Sequence, residues 1–79
     1  MPARNRAPSD ALLRVLAANI TRLRDARQWS QEELADRAGL HRTYVGSVER
    51  CERNVTLSTL EAFAGALNVS VIELLSKRR

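Results

Sequence analysis

The sequence predicts an all-α domain of five helices, and three observations carry that expectation. Apolar residues recur at steps of three and four along most of the chain, Ser9, Ser30 and Ser70 each stand where a helical run opens, and Gly39-Leu40 separates two short apolar stripes within residues 31–50. Seventy-nine residues hold one modest core, and with one Trp, one Tyr and one Phe it must be built from Leu, Val, Ile and Ala.

Residues 1–8 contain Pro2, Pro8, Arg4 and Arg6 without periodicity and read as a mobile arm, which leaves 9–79 as the domain. Ser9-Asp10 supplies the start of the first helix, which runs to about Arg27 with Leu13, Leu16, Ile20 and Leu23 as its apolar stripe. Ser30 with Glu33 matches a capping box, and Trp29 with Leu34 matches a hydrophobic staple, so the entry to the second helix is doubly specified. Leu34, Ala35 and Ala38 then give its stripe. Gly39 can take a positive φ and turn the chain sharply into the third helix, about Arg42 to Arg50, where Val45 and Val48 resume the apolar spacing. The fourth helix spans Leu57 or Ser58 to about Leu67, and Ser70 with Glu73 matches a second capping box for a short last helix. No internal repeat or low-complexity segment interrupts this plan.

Composition excludes more than it selects. Thirteen basic and nine acidic residues give a net charge of +4, which suits nucleic acid but equally an anionic membrane surface. Cys51 is the single cysteine and His41 the single histidine, so neither an intrachain disulfide nor a metal site is expected, and no cofactor is implied. One His, one Cys and scattered carboxylates offer no nucleophile–base pair, so no enzyme is expected. No apolar run approaches about 18 residues and the N-terminus lacks an apolar signal core, which points to a soluble, cytoplasmic protein. The sequons at Asn19, Asn54 and Asn68 are then coincidental.

The residues Gln31, Leu34-Ala35, Gly39-Leu40, Val45, Val48 and Glu49 make the chain resemble the Cro/phage-repressor-like (XRE) family of helix-turn-helix DNA-binding proteins. The likeness extends through Ile20 to Arg24 upstream and through Arg50, Arg53-Asn54, Leu57, Leu60, Ala64, Leu67 and Val69 downstream, so it covers nearly the whole chain. The implied fold is a compact lambda-repressor-like bundle whose second and third helices form the helix-turn-helix.

With Val45 and Val48 buried, the helical period puts Arg42, Thr43, Gly46 and Ser47 on the outer face of the third helix or at its N-terminal end, where base edges would be read. Arg42 carries a two-pronged donor for guanine, Thr43 a methyl and a hydroxyl. Gly46 offers either close backbone approach or mere tolerance. Gln31, at a helix N-terminus with free N–H groups, suits a phosphate, as the family resemblance also implies. Tyr44 reads either as an amphipathic edge residue or as a phosphate contact, the role a matching tyrosine has in related controller proteins of restriction–modification systems. Arg50, Arg53 and Asn54 read as backbone clamps or as a solvated surface. The resemblance further implies that Arg24 pairs with Glu49 as a structural ion pair.

Four positions depart from the family pattern. Gln28, Cys51 and Asn68 occupy helix ends where glycine is favoured, so either those turns differ or they store strain. Cys51, alone and without a thiolate-favouring setting in the sequence, reads as inert. Ile72 stands where the family carries a polar residue, and with Leu75 it makes an apolar patch. Part of it could close the core, but the resemblance, through the family's habit of dimerising by its C-terminal helices, implies that Ile72 and Leu75 form a two-fold interface.

The resulting expectation is a homodimeric, sequence-specific regulator of transcription that binds a roughly palindromic double-stranded DNA operator and follows its own concentration. Residues Arg42 to Val45 and Glu49 to Asn54 look most like the restriction–modification controllers. A stand-alone phage-type repressor and an antitoxin are the alternatives, and the lack of a long disordered tail speaks against the second. Activation would add contact with RNA polymerase, whereas repression needs only overlap with a promoter.

Overall fold

A computed structural model describes residues 9–78, and the expected N-terminal arm at 1–8 lies outside them. Five helices follow in order: α1 Asp10–Ala26, α2 Gln31–Ala38, α3 Arg42–Glu49, α4 Leu57–Leu67 and α5 Val71–Leu74.

Each helix opens on a side-chain acceptor for a free backbone N–H. Ser9, Ser30, Thr56 and Ser70 each accept from the N–H three residues on, at 3.0–3.2 Å. At Ser70 the box is complete, because the Glu73 carboxylate accepts from the Ser70 N–H at 3.1 Å. The Ser30 box is only half made: Glu33 turns instead to Arg37, one helical turn on, at 3.0 Å. Trp29 packs, partly buried, against the core cluster that includes Leu34, and its ring also carries the Arg37 guanidinium 4.3 Å from its centroid.

Four helices end in one and the same way. At the ends of α1 to α4, Gln28, Gly39, Cys51 and Asn68 adopt φ between 58° and 69°, and the next residue's N–H reaches back to a carbonyl five positions earlier. Trp29 donates to Arg24, Leu40 to Ala35, Glu52 to Ser47 and Val69 to Ala64, at 2.9–3.2 Å. The three non-glycine residues therefore keep the left-handed turns that glycine favours, at a backbone cost of roughly 1–2 kcal/mol each, least for Asn68.

Phe63, Ile20, Leu34, Leu67, Leu74, Val45 and Val48 are fully buried and draw on all five helices. The aromatic centre, Phe63, was not marked by the sequence reading. Asn19 is also buried, 3% exposed, and its amide Nδ2 donates to the carbonyls of Glu73, Leu74 and Ser76 at 3.3, 2.9 and 2.8 Å. One side chain of α1 thus satisfies the free carbonyls at the end of α5 and fixes where the C-terminal segment runs. An Asn set among the apolar steps Leu16, Ile20 and Leu23 was the available signal. No helix of the described residues is long and apolar enough to cross a membrane, and none of their His, Cys, Asp and Glu residues cluster as a metal site.

Candidate nucleic-acid interface

α2 and α3 pack on each other, and α1 packs on α3 from another side. The turn between them is the left-handed Gly39 followed by Leu40, after which His41 caps α3: its Nδ1 accepts from the Thr43 N–H at 3.1 Å. Sequence reasoning supplied no cap for α3. A ring nitrogen placed like an Asn oxygen was the overlooked signal.

Glu49, at the last turn of α3, is the hub that holds α3 in place. Arg24 Nε donates to its Oε2 at 2.7 Å, Arg24 Nη2 to its Oε1 at 3.0 Å, and Gln31 Nε2 to Oε1 at 3.0 Å. Arg24 also donates to the Trp29 carbonyl at 2.7 Å, so the segment linking α1 to α2 joins the same network. The side chains of Arg24 and Glu49 are only 14% and 7% exposed. Burial pushes the Glu49 carboxyl pKa up, but hydrogen bonds from Arg24 and Gln31 and the nearby positive charge outweigh it and leave the carboxyl below its ordinary value. The hydrogen bond to Glu49 holds Arg24 above its own already high value, against the pull of desolvation. The ion pair expected between Arg24 and Glu49 is therefore present, with Gln31 as its third member.

Of the four residues expected on the open face of α3, two lie there. Arg42 and Thr43 are exposed at its N-terminal end. Gly46 and Ser47 are not: both are buried, contrary to expectation. A Cβ at Gly46 would stand 3.1 Å from Arg50 Nη1 and 3.3 Å from Gln31 Oε1, so that glycine is roofed by two side chains. Ser47 is 8% exposed, and its hydroxyl donates to the Thr43 carbonyl one turn back at 3.0 Å. The period of α3 alone does not reveal that Gln31 of α2 reaches across it.

The expected phosphate contacts separate into two groups. Tyr44, Arg53 and Asn54 come together: the Tyr44 hydroxyl donates to the Asn54 carbonyl at 3.4 Å, and the Arg53 guanidinium lies 5.1 Å from the Tyr44 ring centroid. Arg50 lies over Gly46 and pairs with Glu52 at 3.1 Å, both side chains exposed, while Gln31 is engaged with Glu49. Arg42 opens α3, and Arg50 and Arg53 come just after its end.

Ile72 is 77% exposed, whereas Leu75, beyond the end of α5, packs partly into the chain's own core. The apolar pair divides accordingly. Leu57, first residue of α4, is a second large exposed apolar side chain, at 78%; the sequence reading takes it as a helix start and a point of family likeness, not as a surface patch.

The helix-turn-helix family HTH_3 matches residues 20–74, which take in the end of α1 and all of α2 to α5. The chain belongs to this family. As an HTH_3 protein it is 58% identical over 64 residues to control protein C.SmaI of Serratia marcescens, covering 81% of this chain and 76% of that one. Its fold is similar to that of the restriction–modification controller protein C.AhdI of Aeromonas hydrophila, with a TM-score of 0.77, 44% identity, and coverage of 81% of this chain and 97% of that one. The hypothetical transcription factor NHTF from Neisseria superposes with a TM-score of 0.80 and 44% identity over 94% of this chain and 84% of its own. The likeness to controller proteins read from Arg42 to Val45 and Glu49 to Asn54 accords with these relatives.

Proposed function

We propose that this HTH_3 protein is a cytoplasmic, autoregulated controller of a restriction–modification system, acting as a sequence-specific double-stranded DNA-binding regulator of transcription. The observation that carries this reading is the likeness to controller proteins along almost the whole domain, joined to an α3 whose exposed N-terminal end holds Arg42 and Thr43. In the proposed complex Arg42 and Thr43 face base edges in the major groove. Gln31, Tyr44, Arg50, Arg53 and Asn54 meet phosphates, which set register without reading sequence.

Two copies joined through exposed Ile72 would present their recognition helices roughly 34–36 Å apart, one turn of DNA, and mass action would make occupancy steep in protein concentration. Selection of binding sites from random duplexes tests the reading, followed by footprinting on the DNA upstream of the gene itself. A symmetric site recovered in both experiments supports an autoregulated controller. Binding that shows no sequence preference overturns it.

A further inference from the structure

A cationic groove with an apolar floor runs between α1 and the chain after α5, away from α3. It is open and encloses about 650 Å³, within the range of about 300–1,000 Å³ usual for ligand sites. Arg14, Arg22, Lys77 and Arg78 stand along it, and no carboxylate lines it. None of these four cations forms an ion pair among the described residues, although acids pair with Arg24, Arg37 and Arg50 elsewhere. The floor is Ala11, Val15 and Ala18, which recur at three- and four-residue steps on the side of α1 opposite the buried Leu16 and Ile20.

The groove is built by Asn19. Its Nδ2 holds the carbonyls of Leu74 and Ser76, which places Lys77 and Arg78 along one wall, and its Oδ1 accepts from Arg22 Nη2 at 3.3 Å, which orients the other. Arg22 Nε is buried without any hydrogen-bond partner among the described residues, so the chain satisfies this guanidinium only in part, through Nη2.

From this we propose that the α1–C-terminal groove docks an acidic amphipathic segment of another protein, with acids on the four cations and aliphatic side chains over Ala11, Val15 and Ala18. Only the exclusion of duplex DNA as the occupant rests on the DNA reading above. Charge decides among occupants. A duplex held by α3 has α1 between itself and the groove, and a phosphate backbone would leave the apolar floor unmatched. A second copy of the chain brings another +4, and the first eight residues, with Arg4 and Arg6 and no acid, bring more of the same sign.

The test uses a fluorescein-labelled helical peptide of about 14 residues, roughly 20 Å long, with Glu and Leu on one face. Two controls carry either Glu without Leu or Lys in place of Glu. Binding is read by fluorescence anisotropy and by amide NMR shifts on the full chain. The Glu/Leu peptide should bind more tightly than both controls and shift the amides of Ala11, Val15 and Ala18. Arg14→Glu and Lys77→Glu, with unchanged circular dichroism, should weaken it roughly tenfold each while leaving duplex DNA binding intact. The proposal is overturned by absent binding, by equal binding of the leucine-free peptide, or by variants that bind as the wild type does. Shifts centred on α3, the same α1 shifts produced by a DNA duplex, or altered self-association of the variants would also overturn it.

Discussion

Arg24 and Glu49 meet through two hydrogen bonds, Nε to Oε2 at 2.7 Å and Nη2 to Oε1 at 3.0 Å, and so tie the last turn of α1 to the last turn of α3. Because both side chains are largely buried, the pair's net worth is small while its disruption is costly: one partner without the other leaves a charge without compensation. Glu49→Ala is therefore expected to cost about 3–5 kcal/mol, read as a lowered denaturation midpoint. Replacing Arg24 and Glu49 together by Met and Leu should recover much of the loss. Equal midpoints for wild type and Glu49→Ala would show that the network does not hold α3.

The same carboxylate sets a pH dependence. Its folded pKa is depressed, so its contribution is present in full above the unfolded value of about 4.3 and is lost as pH falls through the folded one. Thermal melts from pH 7 down to about 3 should show wild type losing stability more steeply below about pH 4.5 than Glu49→Gln, which has no proton to take up at this site. Parallel curves for the two proteins would contradict the assignment.

At Gln28 and Cys51 the left-handed backbone works against the side chain. Glycine removes a strain of roughly 1–2 kcal/mol but adds about 0.5–1 kcal/mol of unfolded-state entropy, so Gln28→Gly and Cys51→Gly should each stabilise by about 0.5–1 kcal/mol. Asn68→Gly should change little. Gly39→Ala should destabilise by about 0.5–1 kcal/mol, the same two terms with their signs reversed, since its Cβ would meet nothing within 4 Å. Urea midpoints across this series check the signs, and a loss of stability in both Gln28→Gly and Cys51→Gly would mean that neither turn is strained.

Ile72 and Leu75 should now behave differently, because only the first is open to solvent. Ile72→Lys is expected to leave a folded monomer, and Leu75→Lys a destabilised chain. Sedimentation with circular dichroism separates the two. An Ile72→Lys protein that still sediments as a dimer would move the interface elsewhere, with exposed Leu57 the next place to look.

The helices were legible because their starts are chemical: Ser9, Ser30 and Ser70 announce N–H groups that need an acceptor, and apolar steps announce the buried face. Left-handed ends at Gln28 and Cys51 were legible only as a departure, since the residue type argued against the conformation that the packing imposes. What the chain does not state locally is which neighbour covers which residue. Gly46 looked outward because Val45 and Val48 look inward, yet Gln31 from α2 and Arg50 from beyond α3 close over it. Asn19 likewise serves carbonyls more than fifty residues away, a partnership that no short window contains.

The division of labour along α3 is tested most directly by site selection and salt-dependent binding on two variants, Arg42→Ala and Arg53→Ala. Arg42→Ala should lower specific affinity by about 1–3 kcal/mol and relax preference near one position of each half-site. Arg53→Ala should weaken all sequences alike and reduce the slope of log affinity against log salt by about one, with the preferred sequence unchanged. Arg42→Ala retaining wild-type affinity and preference would contradict the placement of α3 against base edges.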